Sequence, residues 1–209
     1  MAIVIFFTGH WFSSLFFQTF FLHRYSAHQM FKMNKFWERF FHVFTFISQG
    51  SSYLNARGYA ILHRLHHLHS DTSNDPHSPS HFKSVFGMMW RTKKIYSDLT
   101  NNRMKVKKSL LINIPNWHRL ESIADNWITR IAWGTFYVLF YILFTPSWWL
   151  LLLLPIHFLM GPIHGAIVNW CGHKYGYRNF KNIKDKSKNT LPFDFLTLGE
   201  LFQNNHHRF

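Results

Sequence analysis

Eight histidines fall into four compact groups whose spacing brings side chains together. The first group is His23-Arg-Tyr-Ser-Ala-His28, and the second is His63-Arg-Leu-His66-His67. Asn169-Trp-Cys-Gly-His173 and Gln203-Asn-Asn-His206-His207 follow near the other end. At about 100° per residue, positions i, i+3 and i+4 share one helix face, so His63, His66 and His67 point at a common centre. Gln203, His206 and His207 repeat that spacing, and Asn169 and His173 form an i, i+4 pair. Together they offer more ligands than one ion holds, so two metals are implied. Imidazole suits iron, copper, nickel or zinc. Zinc alone fits poorly, because a structural zinc needs only four ligands and commonly takes cysteine among them. Isolated histidines such as His10, His42 and His118 are read as ordinary solvated or hydrogen-bonded residues.

The elements that must position these groups are apolar. Residues 1–22 contain no Asp, Glu, Lys or Arg, and roughly 20 apolar residues of helix suffice to cross a bilayer's hydrocarbon core. The spacing predicts a span over about 2–22, with no basic start or small-residue cleavage pattern to suggest a signal peptide. Residues 131–173 are again free of those four residue types, and as one helix would extend roughly 65 Å, too long for a single crossing. Thr145-Pro146-Ser147 divides the run, which predicts spans over about 128–145 and 148–169. The stretch of about 34–62 carries an aromatic stripe broken by Glu38, Arg39, Asn55 and Arg57. A full crossing there would set the first two histidine groups about 30 Å apart, so this stretch is expected to be interfacial or re-entrant. No internal repeat or linker interrupts the chain, and 209 residues predict a single domain over 1–209.

The composition agrees with a lipid environment. The chain holds 24 Phe, 9 Trp and 8 Tyr against 15% charged residues. Its net charge of +14 flanks the apolar blocks and does not stripe one soluble face, which argues against nucleic-acid binding. Eleven Lys or Arg lie in residues 64–130 and six in residues 174–188, so the positive-inside tendency puts the histidine groups on the cytoplasmic side. The single cysteine, Cys171, excludes an intramolecular disulfide framework.

These motifs, in this order and separated by apolar helices, resemble the histidine boxes of the membrane fatty acid desaturase superfamily, most closely its acyl-CoA Δ9 (stearoyl-CoA-type) branch. The resemblance extends through Ser70-Asp71-Thr72, Asp75-Pro76-His77, Tyr175-Gly176-Tyr177 and Gly199-Glu200, and covers nearly the whole chain. It implies an all-α membrane protein whose transmembrane helices carry a cytoplasmic histidine-box di-iron cap. The residues matching the family's iron ligands are His23, His28, His63, His66, His67, His173, His206 and His207. Asn169 matches an asparagine that contacts metal through water. Gln203 departs from the acyl-CoA branch, which has histidine there, and leaves open a carbonyl ligand, a supporting role or an open position. The chain also stops soon after its third box and has one long span before its first, where the branch has two.

The resemblance further implies an O2-dependent desaturase that places a cis double bond in a saturated acyl chain, acyl-CoA or lipid-linked, with two non-haem irons as cofactors. Unactivated C–H bonds are beyond side-chain acids and bases, which is why such a reaction needs metal and oxygen. No Rossmann fingerprint, cysteine-rich cluster site or haem motif occurs in the sequence, so electrons are expected from a separate ferredoxin or cytochrome b5-type protein. Arg57, Lys93, Lys94 and the Lys105 to Lys108 group are read first as positive-inside charge, and as a phosphate-bearing carrier site second. Two other functions compete: a histidine-box hydroxylase or ketolase, told apart by its product, and a non-enzymatic metal-handling protein, whose ligands would lie within the spans.

Overall fold

The computed structural model describes residues 1–208; Phe209, the last residue of the domain expected over 1–209, lies outside the described residues. The fold is all-helical, and among the described residues the only extended pairings are two isolated bridges, Tyr177 with Asn189 and Asn189 with Phe202. Two helices are long and apolar enough to cross a membrane.

The first is α1 (Ala2–Phe17), which continues without a break into a π-helical segment, Gln18–Ala27. The resulting apolar helix runs 26 residues, past the 2–22 read from the charge-free block. Its far end carries His23, Arg24 and Ser26, which the sequence pattern takes as a break. Tertiary contacts keep that end helical: Arg24 donates to the Leu198 carbonyl at 3.3 Å, while Phe21 and Leu22 pack on Ala56.

The second is α6 (Trp127–Phe144), started by Asn126, whose side chain accepts the Ile128 amide at 2.8 Å. It stops where Pro146 removes a donor. Beyond it, a 3-10 segment (Trp148–Leu153) leads through α7 (Leu154–Phe158) to α8 (Met160–Lys174). The pair bends by 75° at Leu159, where the sequence reading has one straight helix over 148–169. Pro162 explains the bend, because it cannot donate to the Phe158 carbonyl four residues back and its ring crowds it. Ser51 Oγ takes up that carbonyl instead, at 3.3 Å.

Between these lies α2 (Lys35–Gln49), capped by Asn34 on the Trp37 amide. Its faces are reversed relative to a water-soluble helix. Phe36, Trp37, Phe40, Phe44 and Ile47 face outward, whereas His42, Thr45, Ser48 and Gln49 are buried. An apolar outside around a polar inside is what a lipid environment selects. Gly50, at φ +50°, ends α2, and the stretch 34–62 is thereby divided between α2 and the first half of α3 (Ala56–His69). α3 packs against the π segment on one side and α4 (Val85–Thr100) on the other, where Ile61, Leu62 and Leu99 form a small core. A short α5 (His118–Ala124) precedes α6, and α9 (Gln203–His206) closes the described chain.

Candidate metal centre

Four helical pieces carry the histidines to one place. The π segment supplies His23 and, as the residue capping its end, His28. In an α-helix, residues five apart point about 140° away from each other. Here the His28 amide bonds to the His23 carbonyl at 3.0 Å, the i to i+5 pattern that stacks the two residues. α3 supplies His63, His66 and His67 from one face, its start set by Asn55, which caps the Gly58 amide at 3.0 Å. Arg64, between them, turns the other way and ties the site together. Its guanidinium donates to the carbonyls of Ser26, Ala27, Leu110 and Ile112 at 2.8–2.9 Å, which locks the end of the π segment onto α3.

α8 brings His173, and α9 brings His206 and His207. The chain between α8 and α9 is held by backbone pairing through Asn189 and by Lys188, whose amide reaches the Gly172 carbonyl at 2.6 Å. Gly176, at φ +114°, turns the chain there; a Cβ would stand 2.0 Å from the Asn189 carbonyl oxygen.

The imidazoles converge in two adjoining groups. In the first, five Nε2 atoms form a closed ring of contacts: His23 to His28 at 3.1 Å, His28 to His63 at 2.7 Å, His63 to His67 at 3.0 Å, His67 to His206 at 3.0 Å, and His206 back to His23 at 3.1 Å. In the second, His66, His173 and His207 come together, with His66 and His207 Nε2 3.2 Å apart. His67 and His207, with ring centroids 4.5 Å apart, connect the two groups. All eight histidines singled out by spacing therefore meet at one centre.

Carboxylates stand behind four of these rings. His66 Nδ1 lies 2.9 Å from both Asp75 oxygens, His173 Nδ1 2.9 Å from Asp71, His207 Nδ1 2.8 Å from Asp185 and His23 Nδ1 2.7 Å from Glu200. For His66, His173 and His207 these contacts are hydrogen bonds in which the carboxylate accepts, so Nδ1 carries the proton and Nε2 is left with a bare lone pair. His66 and His207 then face each other as two acceptors at 3.2 Å, an arrangement that repels unless a cation lies between. Two nitrogens held about 2.1 Å from one ion, at right angles, stand about 3.0 Å apart, which matches the spacing in both groups. The donor set thus fits two metal ions.

Burial and hydrogen bonding shift several of these groups. Burial pushes His63 and His66 well below the ordinary histidine range, and neighbouring imidazoles add to the shift. His206 and His207 shift the same way from the same cause, although Asp185 pulls His207 partly back. Burial raises Asp71 and Asp185, but hydrogen bonds from His173 and His207 outweigh it and hold both below the usual carboxylate range. In Asp75 burial wins, and its carboxyl rises to about 6, still mostly ionised at neutral pH.

The two amides read as possible metal or supporting residues, Asn169 and Gln203, are placed differently from the imidazoles. Gln203 is buried with its Nε2 on the Glu200 carbonyl at 2.7 Å, and Asn169 Nδ2 donates to Gly165 at 2.8 Å. Both line a cavity of about 1440 Å³ that also touches His63 and His77. Sequence reasoning gave no role to the four carboxylates. Asp71, Asp75 and Glu200 stand within the motifs quoted above, but Asp185, 22 residues from His207, carries no spacing signal.

The profile of the fatty acid desaturase family matches residues 1–209. The chain is 31% identical to Delta-9 desaturase-like 5 protein of Arabidopsis thaliana, covering 91% of this chain and 60% of that protein. It is 28% identical to sn-1 stearoyl-lipid 9-desaturase of Anabaena variabilis, over 90% of this chain and 64% of that protein. Acyl-CoA Delta(11) desaturase of Choristoneura rosaceana is 30% identical over 70% of this chain and 44% of its own length. The chain spans about 60% of the length of the first of these relatives.

Proposed function

The chain belongs to the fatty acid desaturase family, and from that premise we propose that it is an oxidoreductase placing a cis double bond in a saturated fatty acyl chain, Δ9-like and carried as acyl-CoA. The observation that carries the reading is the facing pair of bare nitrogens on His66 and His207, which only a cation reconciles. When bound there, two irons supply, with O2 and two electrons from a ferredoxin or cytochrome b5-type protein, the oxidising power to take two hydrogens from adjacent carbons and release water.

This chain's own residues do the rest. His23, His28, His63, His67 and His206 hold one ion, and His66, His173 and His207 hold the other. Asp71, Asp75 and Asp185 keep His173, His66 and His207 in the tautomer that donates to metal. The cavity takes the acyl chain, and Asn169 and Gln203 border it beside the metals. We place the domain over 1–209, with membrane spans from α1, α6 and the bent α7–α8 pair, α2 at the interface, and the histidines on the cytoplasmic side.

Expression in a strain auxotrophic for unsaturated fatty acids tests this. Growth without supplement is expected, with monounsaturated chains located by gas chromatography and mass spectrometry and about two irons per purified chain. The His63→Ala/His206→Ala double variant should lose both. Hydroxylated chains without new double bonds would overturn the reading, as would about one metal or fewer, unchanged in the double variant.

A further inference from the structure

Three glycines line the cavity beside the metals: Gly134 on α6, and Gly161 and Gly165 on α8. They are not equivalent. A Cβ on Gly134 would touch the Phe158 ring at 3.6 Å, and one on Gly161 would press on the Ser52 carbonyl oxygen at 3.2 Å. A Cβ on Gly165 would meet nothing within 4 Å. Gly165 is not among the residues with positive φ, so its backbone suits any side chain, and the room such a side chain would fill is cavity.

Gly165 also stands at a defined distance from the metals. His173, Asn169 and Gly165 follow at four-residue intervals along α8 and share one face. At 1.5 Å per residue, Gly165 lies about 12 Å from His173, toward the bend at Leu159. A saturated chain with C–C bonds of about 1.52 Å and near-tetrahedral angles advances about 1.25 Å per carbon when extended. In a stearoyl chain desaturated between C9 and C10, the carbons beyond C10 then reach about 10 Å. The two ends of such a chain find different walls. Arg57, Lys93, Asn101 and Asn102 suit a polar head, whereas Val168, Phe158 and Leu159 suit a methyl end on the inner half of α8. A tail laid along α8 from the metals therefore ends at the level of Gly165.

We infer that Gly165 sets the longest acyl tail the cavity admits past the metals, by leaving empty the space its side chain would fill. This rests on the desaturase reading of the cavity and deepens it by naming the residue that selects chain length. A side chain there takes the room of the last tail carbons, and an apolar pocket discriminates about tenfold or more for a methylene it cannot seat.

The test uses purified, iron-loaded protein in nanodiscs, incubated with an equimolar mixture of saturated acyl-CoAs of even length from lauroyl to stearoyl. Acyl-CoAs retained above an empty-nanodisc blank are identified by mass spectrometry. Gly165→Leu is expected to lower the retained ratio of stearoyl to myristoyl about tenfold. Gly165→Ala, an exchange that favours the helix, should lower it by less but in the same direction. Gly9→Leu adds the same bulk at a position equally unobstructed but outside the cavity, and should leave the ratio in place. A ratio unchanged in both Gly165 variants at full iron content overturns the proposal and leaves the desaturase reading standing, as does the same fall in Gly9→Leu. If the unaltered chain retains no acyl-CoA, both readings fall.

Discussion

Four of the nine acidic residues in the chain, Asp71, Asp75, Asp185 and Glu200, stand behind imidazoles. Their role is to decide which ring nitrogen is bare, and a ring free to change tautomer would present N–H to the metal half the time. Asp185 is the clearest probe, because it holds only His207 and Ser187 and touches no other ring. Asp185→Asn keeps the size but weakens the hold on Nδ1. Iron affinity, measured by competition with a graded chelator, should fall about 10- to 100-fold, with the fold retained by circular dichroism. An unchanged affinity would mean that packing alone orients His207. The histidines themselves were legible from spacing. The acids were not, since a contact across 22, 102 or 177 residues leaves no local periodicity.

Each helix in the site has one feature that makes the convergence possible. The π segment stacks His23 on His28, which an α-helical reading of the same five-residue spacing would have separated. α8 meets α9 through Gly172, where a Cβ would come within 2.3 Å of Gln203 Cγ and 3.0 Å of its Cβ. Gly172→Ala therefore has to push α9 away from His173. The expected result is a loss of about 1–3 kcal/mol in stability and a fall from about two irons to about one, because the second group draws its ligands from both helices. Metal analysis and a thermal melt on the same sample check this; two irons at unchanged Tm would show that α9 yields freely. Gln203, the departure from the family motif, owes its burial to that same glycine.

The molecule as a whole has an apolar exterior and a polar, histidine-filled end. Trp127, Ile128, Ile131, Leu139, Ile142 and Leu143 of α6 and the outward aromatics of α2 cover surface that water would not tolerate as one patch. The basic stretches lie on the segments that carry the metal groups, so the end with the histidines should face the cytoplasm. In a Cys171→Ser background, Lys107→Cys and Lys184→Cys are expected to react with a membrane-impermeant maleimide only from the cytoplasmic face, and Ser147→Cys only from the other. Labelling of Lys107→Cys and Ser147→Cys from one face would refute this topology.

The sequence by itself determined the helical, membrane-compatible character of the chain and the identity of all eight converging imidazoles. Both are written in short-range patterns: charge-free blocks of spanning length, and repeats of three and four residues that mark one helix face. Only the tertiary structure decided that four distant groups form two adjoining nitrogen clusters, which acids stand behind them, and where the third apolar helix bends. It also supplied the partner of His10, read from sequence as an ordinary solvated or hydrogen-bonded residue, in His157 147 residues away. Such facts depend on pairs of residues brought together by packing, where Pro162 withholds a donor or Gly172 permits a close approach, and the energies that choose those pairs are summed over the whole fold.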